Sequence, residues 1–197
     1  MTRLLPAGPD AVLVEADDVP AVYAALRAAG GFVDVVPAAR TVLVMGDPAA
    51  LARLASIVDG VSGGPPPDDG PLVELPVRYT GPDLADTAAL LGIGPDELVR
   101  RHVAARYRVA FCGFAPGFGY LTGLPPELHA PRLATPRTRV PAGAVGLAGE
   151  YCGVYPRESP GGWRLIGVTG VVLWDAEREP AALLAPGTRV RFRPVDR

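Results

Sequence analysis

The sequence predicts an α+β protein of two domains, and three observations lead to this prediction. Residues 62–71 consist entirely of Ser, Gly, Pro and Asp, which is the composition of a linker. Strand and helix patterns alternate regularly before this segment, whereas short apolar runs separated by Gly and Pro follow it. With 197 residues, about half of them apolar, the chain can bury two small cores. We therefore expect one domain over residues 1–70 and a second over residues 71–197.

The first domain is predicted to contain five elements in the order β-α-β-β-α. Asp18 can cap the first helix, with Pro20 in its first turn, and Asp47 can begin the second. Three short runs rich in β-branched residues predict strands, at residues 11–15, 32–36 and 41–44. This order is typical of a small ferredoxin-like split βαβ module. Residues 72–79 supply either the last strand of that module or the first strand of the second domain.

The second domain is predicted to begin with two helices and to continue as a series of short strands. One helix starts at Asp83 and the other at Pro95, with acidic residues favourably placed in its first turn. The strands expected after them are residues 108–114, 145–148, 163–167, 171–174 and 189–192. Many short strands with Gly and Pro between them indicate a barrel or a sandwich.

Composition excludes several classes of function. The net charge of -2 argues against a nucleic-acid-binding protein. The sequence has no Lys, which excludes a P-loop lysine, a Schiff base and a biotin-carrying side chain. An anion must therefore be bound by Arg or by backbone N–H groups. The Cys and His spacing matches no metal site. With no leader-like start and no apolar run of membrane-spanning length, we expect a soluble cytoplasmic protein that works without a membrane.

Candidate site residues occur first where aromatic residues alternate with Gly and Pro, between residues 111 and 121. Such a run cannot be helical, and we interpret it as a strand end that leads into a shaped loop. Glycine lets the backbone approach a ligand, and aromatic rings supply an apolar wall. The substrate-binding candidates here are Phe114, Pro116, Gly117, Phe118 and Tyr120. The alternative is a tight barrel corner with core aromatics.

A second segment, residues 131–143, carries three arginines between prolines. In extended backbone Arg137 and Arg139 project to the same side, where paired guanidinium groups suit a carboxylate or a phosphate. Arg132, Pro141 and Gly143 complete the candidates from this segment. The alternative is a solvated strand with ordinary ion pairs.

A third segment, residues 155–164, contains a Ser-Pro-Gly-Gly turn that offers a hydroxyl and free backbone N–H groups. Its candidates are Ser159, Gly161 and Gly162, and it lacks the Gly-x-Ser-x-Gly pattern of a serine hydrolase. We expect Trp163, which follows the turn, to pack in the core.

The histidines and cysteines give weaker signals. His102 lies on the second predicted helix of its domain and is the best candidate for proton transfer, although a lone His there is more often structural. His129 lies in a Pro-rich loop. Cys112 and Cys152 flank the motif region and permit a Cys–His nucleophile or one disulfide in principle, but small buried side chains are the favoured interpretation.

Three motifs together resemble the signature of one family. Residues 113–118, 136–143 and 158–163 are similar to the family of 5-oxoprolinase B subunits, also known as allophanate hydrolase subunit 1 or sporulation-kinase inhibitor. Residues 74–79 and 81–84 resemble its domain entry and residues 189–192 its closing strand. The chain departs from the usual pattern at Ala38-Ala39, at Gly119 and at Glu150-Tyr151-Cys152.

The resemblance implies a fold and a function. The second domain is expected to be a cyclophilin-like β-barrel, and the protein to act with a second, C-like subunit that carries a similar barrel and with a third, A-like subunit. Such a complex uses ATP to open 5-oxoproline, a small-molecule lactam, to glutamate. Arg132, Arg137 and Arg139 would then polarise the lactam carbonyl, His102 would transfer a proton, and the aromatic residues would wall the pocket.

Alternative functions remain at this point. One is a regulatory module that inhibits a sensor histidine kinase, and another is a subunit related to urea carboxylase and allophanate hydrolase. A proline isomerase would rest on fold analogy alone, which carries little weight.

Overall fold

The structure is a computed structural model that describes residues 2–61 and 70–196. It divides into two compact units, Met1–Asp69 and Gly70–Arg197. Most of the predicted linker, residues 62–69, lies outside the described residues.

The first unit is a four-stranded antiparallel sheet with short helices. Its elements are β1 (Arg3–Pro6), β2 (Ala11–Glu15), α1 (Val19–Ala29), β3 (Asp34–Pro37), β4 (Thr41–Met45), α2 (Pro48–Leu51) and α3 (Leu54–Val58). The order in the sheet is β1-β2-β4-β3. The Asp18 side chain accepts a hydrogen bond from the Ala21 N–H at 3.0 Å and so caps α1 as predicted. Apolar residues of α1, α3 and one face of the sheet form the core.

Two details of this unit differ from the sequence-based expectation. The helix that begins after Asp47 is interrupted, so that α2 and α3 replace a single helix. The strand β1 was not predicted; it pairs with β2 through a tight connection in which Gly8 adopts a φ of +113°. Residues 72–77 do not join this sheet.

The second unit contains a seven-stranded sheet, two helices and a two-stranded ribbon. Its elements are β5 (Leu72–Val77), α4 (Leu84–Leu90), α5 (Pro95–Ala104), β6 (Tyr107–Cys112), β7 (Gly119–Thr122), a 3-10 turn (Pro126–Leu128), β8 (Arg137–Val140), β9 (Ala144–Ala148), β10 (Tyr151–Val154), β11 (Ser159–Gly161), β12 (Arg164–Val168) and β13 (Arg189–Pro194). The strands follow the order β12-β9-β10-β7-β6-β13-β5. Arg78, directly after β5, forms a bridge with Val168 at the end of β12. Because this bridge joins the two edge strands, the sheet nearly closes into a barrel.

Strand pairing resolves the alternative left open for residues 72–79. β5 pairs in parallel with β13 along its whole length, and it therefore belongs to the barrel. The two helices and the strands β6, β9, β12 and β13 confirm the predicted elements. β7, β10 and β11 were missed, and β8 was anticipated only as extended backbone. The predicted strand at residues 171–174 is irregular apart from one bridge between Trp174 and Ala182.

The barrel has two apolar clusters on opposite sides of the sheet. The interior cluster contains residues such as Leu75, Leu121, Leu147 and Phe192. The other is aromatic and contains Phe118, Tyr155 and Trp163. Among the described residues, no helix is long and apolar enough to span a membrane.

Candidate functional site

Phe114 lies in a strained turn at the end of β6. The Ala115 N–H donates to the Gly113 carbonyl at 2.7 Å across Phe114, whose φ is +65°. This is the geometry of a γ-turn that non-glycine residues rarely adopt, at a cost of about 1–2 kcal/mol. The Phe114 ring is 55% exposed and contacts Phe118 and Tyr155 edge-on. A strained, exposed aromatic residue is characteristic of a ligand-binding loop.

A second tight turn returns the chain to β7. The Phe118 N–H donates to the Ala115 carbonyl at 2.9 Å, and Pro116 and Gly117 occupy the two central positions. Gly117 has a φ of +82°, as the third position of a type II turn requires. A Cβ at Gly117 would also lie 2.7 Å from the Trp174 Cβ. Pro116 and Gly117 therefore shape the loop and do not line the pocket described next.

The three predicted segments meet at one small pocket of about 90 Å³. Edge-to-face aromatic contacts centred on Phe118 form its apolar walls. The residues that line it are Phe114, Phe118, Tyr120, Arg132, Tyr155, Gly161, Gly162 and Trp163. The structure thus brings together six of the predicted site residues.

Backbone pairing holds the arginine segment against the glycine turn. The ribbon of β8 and β11 begins the contact. The Leu133 N–H donates to the Gly162 carbonyl at 2.8 Å, and Arg164 Nε donates to the Pro131 carbonyl at 2.8 Å. Arg132 lies between these two anchors and forms no ion pair within the described residues. Its guanidinium is consequently available to an anionic ligand.

Arg137 and Arg139 bind two different carboxylates. Arg137 Nη2 donates to Asp83 Oδ1 at 2.5 Å, and the second oxygen of Asp83 accepts the Leu165 N–H at 2.7 Å. Arg139 Nε donates to Glu158 at 2.5 Å on the exposed surface. We expected Arg137 and Arg139 to bind one anion together. Because each is already held by its own carboxylate, the geometry does not favour such a shared anion. In the described part of the chain, the buried Arg137 Nη1 has no hydrogen-bond partner.

His102 lies in the barrel core and does not line the pocket. Its Nδ1 lies 2.8 Å from the Tyr79 hydroxyl, its Nε2 lies 3.3 Å from the Cys152 sulfur, and its carbonyl accepts from the Tyr107 hydroxyl at 3.1 Å. Burial lowers the pKa of His102 to about 3 and raises the pKa of the Cys152 thiol. Both groups are neutral at pH 7, and His102 has no route to a ligand in the pocket.

The other predicted residues shape the surroundings. Pro141 is exposed, and the Gly143 N–H donates to the Tyr155 carbonyl at 2.7 Å. Ser159 is buried, with its hydroxyl donating to the Arg157 carbonyl at 3.0 Å. Cys112 and Cys152 are both free thiols.

Sequence reasoning missed Tyr155 as a pocket residue. It is 2% exposed, and burial raises the pKa of its hydroxyl, whereas the Trp163 backbone and the Arg132 and Arg137 guanidinium groups act in the opposite direction. The alternation of side chains along β10 could have predicted this position. Cys152 and Val154 face the barrel interior, so residue 155 faces the other side of the sheet. Trp163 packs in the core as predicted and is also a pocket wall.

A larger cavity of about 660 Å³ lies between α5 and the ends of β5 and β13. Its lining carries charges of both signs, from Arg78, Arg100, Asp96 and Asp196. Arg100 is already paired with Glu97. We assign the site to the small pocket, because the three motifs, the strained turn and an unpaired guanidinium coincide there. Across residues 2–61 and 70–196, no cluster of His, Cys, Asp or Glu could hold a metal ion.

Comparison with known sequences identifies relatives of this chain. The B subunit of 5-oxoprolinase from Escherichia coli O157:H7 is 50% identical over 125 residues, which is 62% of this chain and 57% of that protein. The Bacillus subtilis protein of the same name is 44% identical over 124 residues, which is 61% of this chain and 52% of that protein. The chain thus spans a little more than half the length of these curated relatives. Urea amidolyase of Saccharomyces cerevisiae is 41% identical over 64 residues, 30% of this chain and 3% of that protein.

Solved structures show the same fold. TTHA0988 superposes with a TM-score of 0.80 at 36% identity, over 95% of this chain and 40% of its own. The conserved protein PH0987 from Pyrococcus horikoshii has a TM-score of 0.62 at 33% identity and covers 98% of both chains. The Kluyveromyces lactis urea amidolyase has a TM-score of 0.74 at 20% identity, over 98% of this chain and 15% of its own, and it shows the fold alone.

The sequence also matches the family described as carboxyltransferase domain, subdomain C and D, over residues 2–184. This match confirms the family assignment made from the motifs, and the chain belongs to the carboxyltransferase-domain family whose relatives include the B subunits of 5-oxoprolinase.

Proposed function

We propose that this chain is one component of an ATP-dependent 5-oxoprolinase, which opens 5-oxoproline to glutamate together with a barrel-bearing, C-like partner and an A-like partner. The observation that carries the proposal is the pocket in which Arg132, whose guanidinium forms no ion pair with any described residue, lies beside a cluster of aromatic rings. 5-Oxoproline is a single five-membered lactam with one carboxylate. Its ring suits the aromatic walls, and its carboxylate suits Arg132. The names of the curated relatives support the same reaction.

The size and charge of the pocket favour a small substrate and do not fit ATP. A volume of about 90 Å³ accommodates one small ring. A triphosphate needs several convergent donors, whereas the described lining of this pocket offers a single guanidinium, and the sequence has no Lys. ATP, the expected co-substrate of the complex, is accordingly assigned no site in this pocket.

Within the described part of the chain, the pocket lacks a residue that could act as a base at neutral pH. Its lining includes Tyr120, Tyr155 and Arg132 but no carboxylate and no His. His102, the sequence-based candidate for proton transfer, is buried and neutral in the core. We infer that a complete catalytic site requires groups from a partner, and the isolated chain is expected to show no turnover.

The test is glutamate release from 5-oxoproline by the chain combined with its partners, with and without ATP. We expect ATP-dependent activity in the complex and none in the isolated chain. Arg132→Gln is expected to lower kcat/KM by about tenfold or more, since it removes the charge that binds the carboxylate. Arg139→Gln is the matched control and is expected to stay near wild type. Turnover by the isolated chain, or full activity of Arg132→Gln, would contradict the proposal.

A role related to urea carboxylase is the second candidate, because part of the sequence and the fold resemble urea amidolyase. Urea has no carboxylate and would leave Arg132 without a partner. An assay that offers urea and 5-oxoproline to the same complex distinguishes the two candidates.

We further infer that the barrel is of the cyclophilin-like type and that the first unit is a ferredoxin-like variant. Support for the latter is the helix α1 that connects β2 to β3 and the sheet order β1-β2-β4-β3. In this variant β1 holds the edge position that the last strand of a split βαβ module would take. We place the complex in the cytoplasm, where ATP is available.

A further inference from the structure

Tyr155 is held rigidly in the wall of the pocket. Its N–H donates to the Ala144 carbonyl at 2.9 Å, and its carbonyl accepts the Gly143 N–H at 2.7 Å. Its ring contacts Phe118 and Trp163 edge-to-face, with centroid distances of 5.5 and 6.5 Å. Backbone and ring are both fixed, so the hydroxyl has one position relative to the pocket.

The Tyr155 hydroxyl has a hydrogen that is available for donation. A neutral tyrosine hydroxyl carries one hydrogen that it can donate. Residues 2–61 and 70–196 provide no acceptor for this hydrogen. Because Tyr155 lines the pocket, the hydrogen can be donated to a ligand. Burial raises the pKa of the hydroxyl, so it remains a neutral donor at physiological pH.

Two cations lie close to this donor. Arg132 lines the same pocket as Tyr155, and Arg137 is the strand partner of Gly161, the residue next to the Tyr155 hydroxyl. Arg137 is fixed by Asp83, and its Nη1 is buried without a partner in the described residues. A neutral donor flanked by positive charge is complementary to an oxygen that carries partial negative charge, such as a lactam carbonyl.

Gly161 and Gly162 differ in the space available for a side chain. A Cβ at Gly161 would clash with the Tyr155 hydroxyl, whereas a Cβ at Gly162 would meet Pro136 at an ordinary 3.6 Å. Glycine at 161 is thus required for the position of the hydroxyl, and glycine at 162 is not. Gly170 lies outside the pocket lining, and a Cβ there would meet nothing within 4 Å, so it supplies the matched control for Gly161.

We propose that Tyr155 is a specificity-determining residue whose hydroxyl donates a hydrogen bond to the lactam carbonyl oxygen of the substrate, while Arg132 binds the substrate carboxylate. This assignment rests on the proposed function and adds a named contact for the lactam. The aromatic rings of Phe114 and Phe118 then enclose the ring atoms between these two polar anchors. No covalent step is assigned to Tyr155.

The test measures binding of three probes to the full chain by NMR titration: 5-oxoproline, cyclopentanecarboxylate and 2-pyrrolidinone. The first carries both the lactam and the carboxylate, and each of the others carries one of them. We expect Tyr155→Phe to weaken 5-oxoproline and 2-pyrrolidinone by about tenfold and to leave cyclopentanecarboxylate unchanged, since one hydrogen bond is lost. Arg132→Gln should weaken the two carboxylates and spare 2-pyrrolidinone.

The glycine variants provide the second measurement. Gly161→Ala is expected to reproduce the Tyr155→Phe pattern by displacing the hydroxyl, and Gly170→Ala, outside the pocket, to bind all three probes as the wild type does. Thermal unfolding of each variant verifies that it is folded.

The outcomes separate this proposal from the proposed function. Equal 5-oxoproline affinity in the wild type and Tyr155→Phe overturns the role of Tyr155 alone. A wild-type chain that binds none of the probes at saturating concentration overturns both the pocket and the tyrosine assignment. Normal, Tyr155-dependent binding without glutamate release from the complex supports the contact and contradicts the proposed reaction.

Discussion

The pocket and the His102 network both gather polar side chains in the barrel unit, yet they have opposite character. In the pocket, Arg132 and Tyr155 line a cavity beside a strained turn at Phe114. In the network, His102 contacts Tyr79 and Cys152 and is fully buried. A histidine suggests acid–base chemistry from sequence, but burial keeps this one neutral and out of reach. Access to a ligand, more than residue type, distinguishes the candidate site from the core.

The largest expected effect concerns the core. His102→Ala should lower the free energy of unfolding by about 3 kcal/mol, because it opens a cavity against Phe192 and removes the partner of the Tyr79 hydroxyl. Urea denaturation measures this loss. Binding of 5-oxoproline to the folded variant should be unchanged. A stable variant that has lost binding would place His102 in the site after all.

Protonation offers a second measurement on the same residue. The pKa of His102 is about 3 in the folded chain, below the value of about 6.5 for an exposed histidine. The unfolded chain takes up the proton first, so the free energy of unfolding should fall as the pH drops from 6.5, by about 2 kcal/mol at pH 5.

The histidine variants identify the source of this pH dependence. His102→Gln should remove the slope between pH 6.5 and 5 measured by urea denaturation, and His129→Gln should retain it. An identical slope in wild type and His102→Gln would show that another group is responsible.

The two arginine ion pairs should differ in their contribution to stability. Asp83→Asn leaves Arg137 partly buried without its anion and should cost about 2 kcal/mol in the free energy of unfolding. Glu158→Gln breaks the exposed pair with Arg139 and should cost less than about 1 kcal/mol. Chemical denaturation of both variants makes the comparison, and equal losses would contradict it.

The smallest effect on stability is expected at Phe114. Glycine adopts a φ of +65° without strain, so Phe114→Gly should change the free energy of unfolding by less than about 1 kcal/mol. Affinity for 5-oxoproline, measured by the same NMR titration, should nevertheless fall, since an aromatic wall is removed. If Phe114→Gly lowered stability and left affinity normal, the turn would have a structural role and no role in binding.

Local patterns predicted much of the fold and most of the pocket. The helix that Asp18 caps and the Pro-Gly turn at residues 116–117 follow from properties of single residues. The strands β7 and β10 were missed because Gly119 and Gly153 interrupt their apolar patterns, although a Cβ at Gly153 would press on Phe118 and Trp163. Glycine there is a packing requirement, which becomes evident only once the strands are placed.

Long-range pairing explains what sequence could not provide. Asp83 and Arg137 are 54 residues apart, and their bond depends on how α4 and β8 meet around β12. The paired guanidinium groups expected from extended backbone were correctly located on one strand, but their partners come from different segments. The burial of His102 likewise depends on the barrel that forms around α5.

One measurement tests the central claim most directly: the chemical-shift changes that 5-oxoproline causes in the backbone N–H signals of the chain. The changes are expected to concentrate at Gly161, Gly162 and Trp163 around the small pocket. Changes confined to the larger cavity, at Tyr79 and Val99, would contradict the assignment of the site.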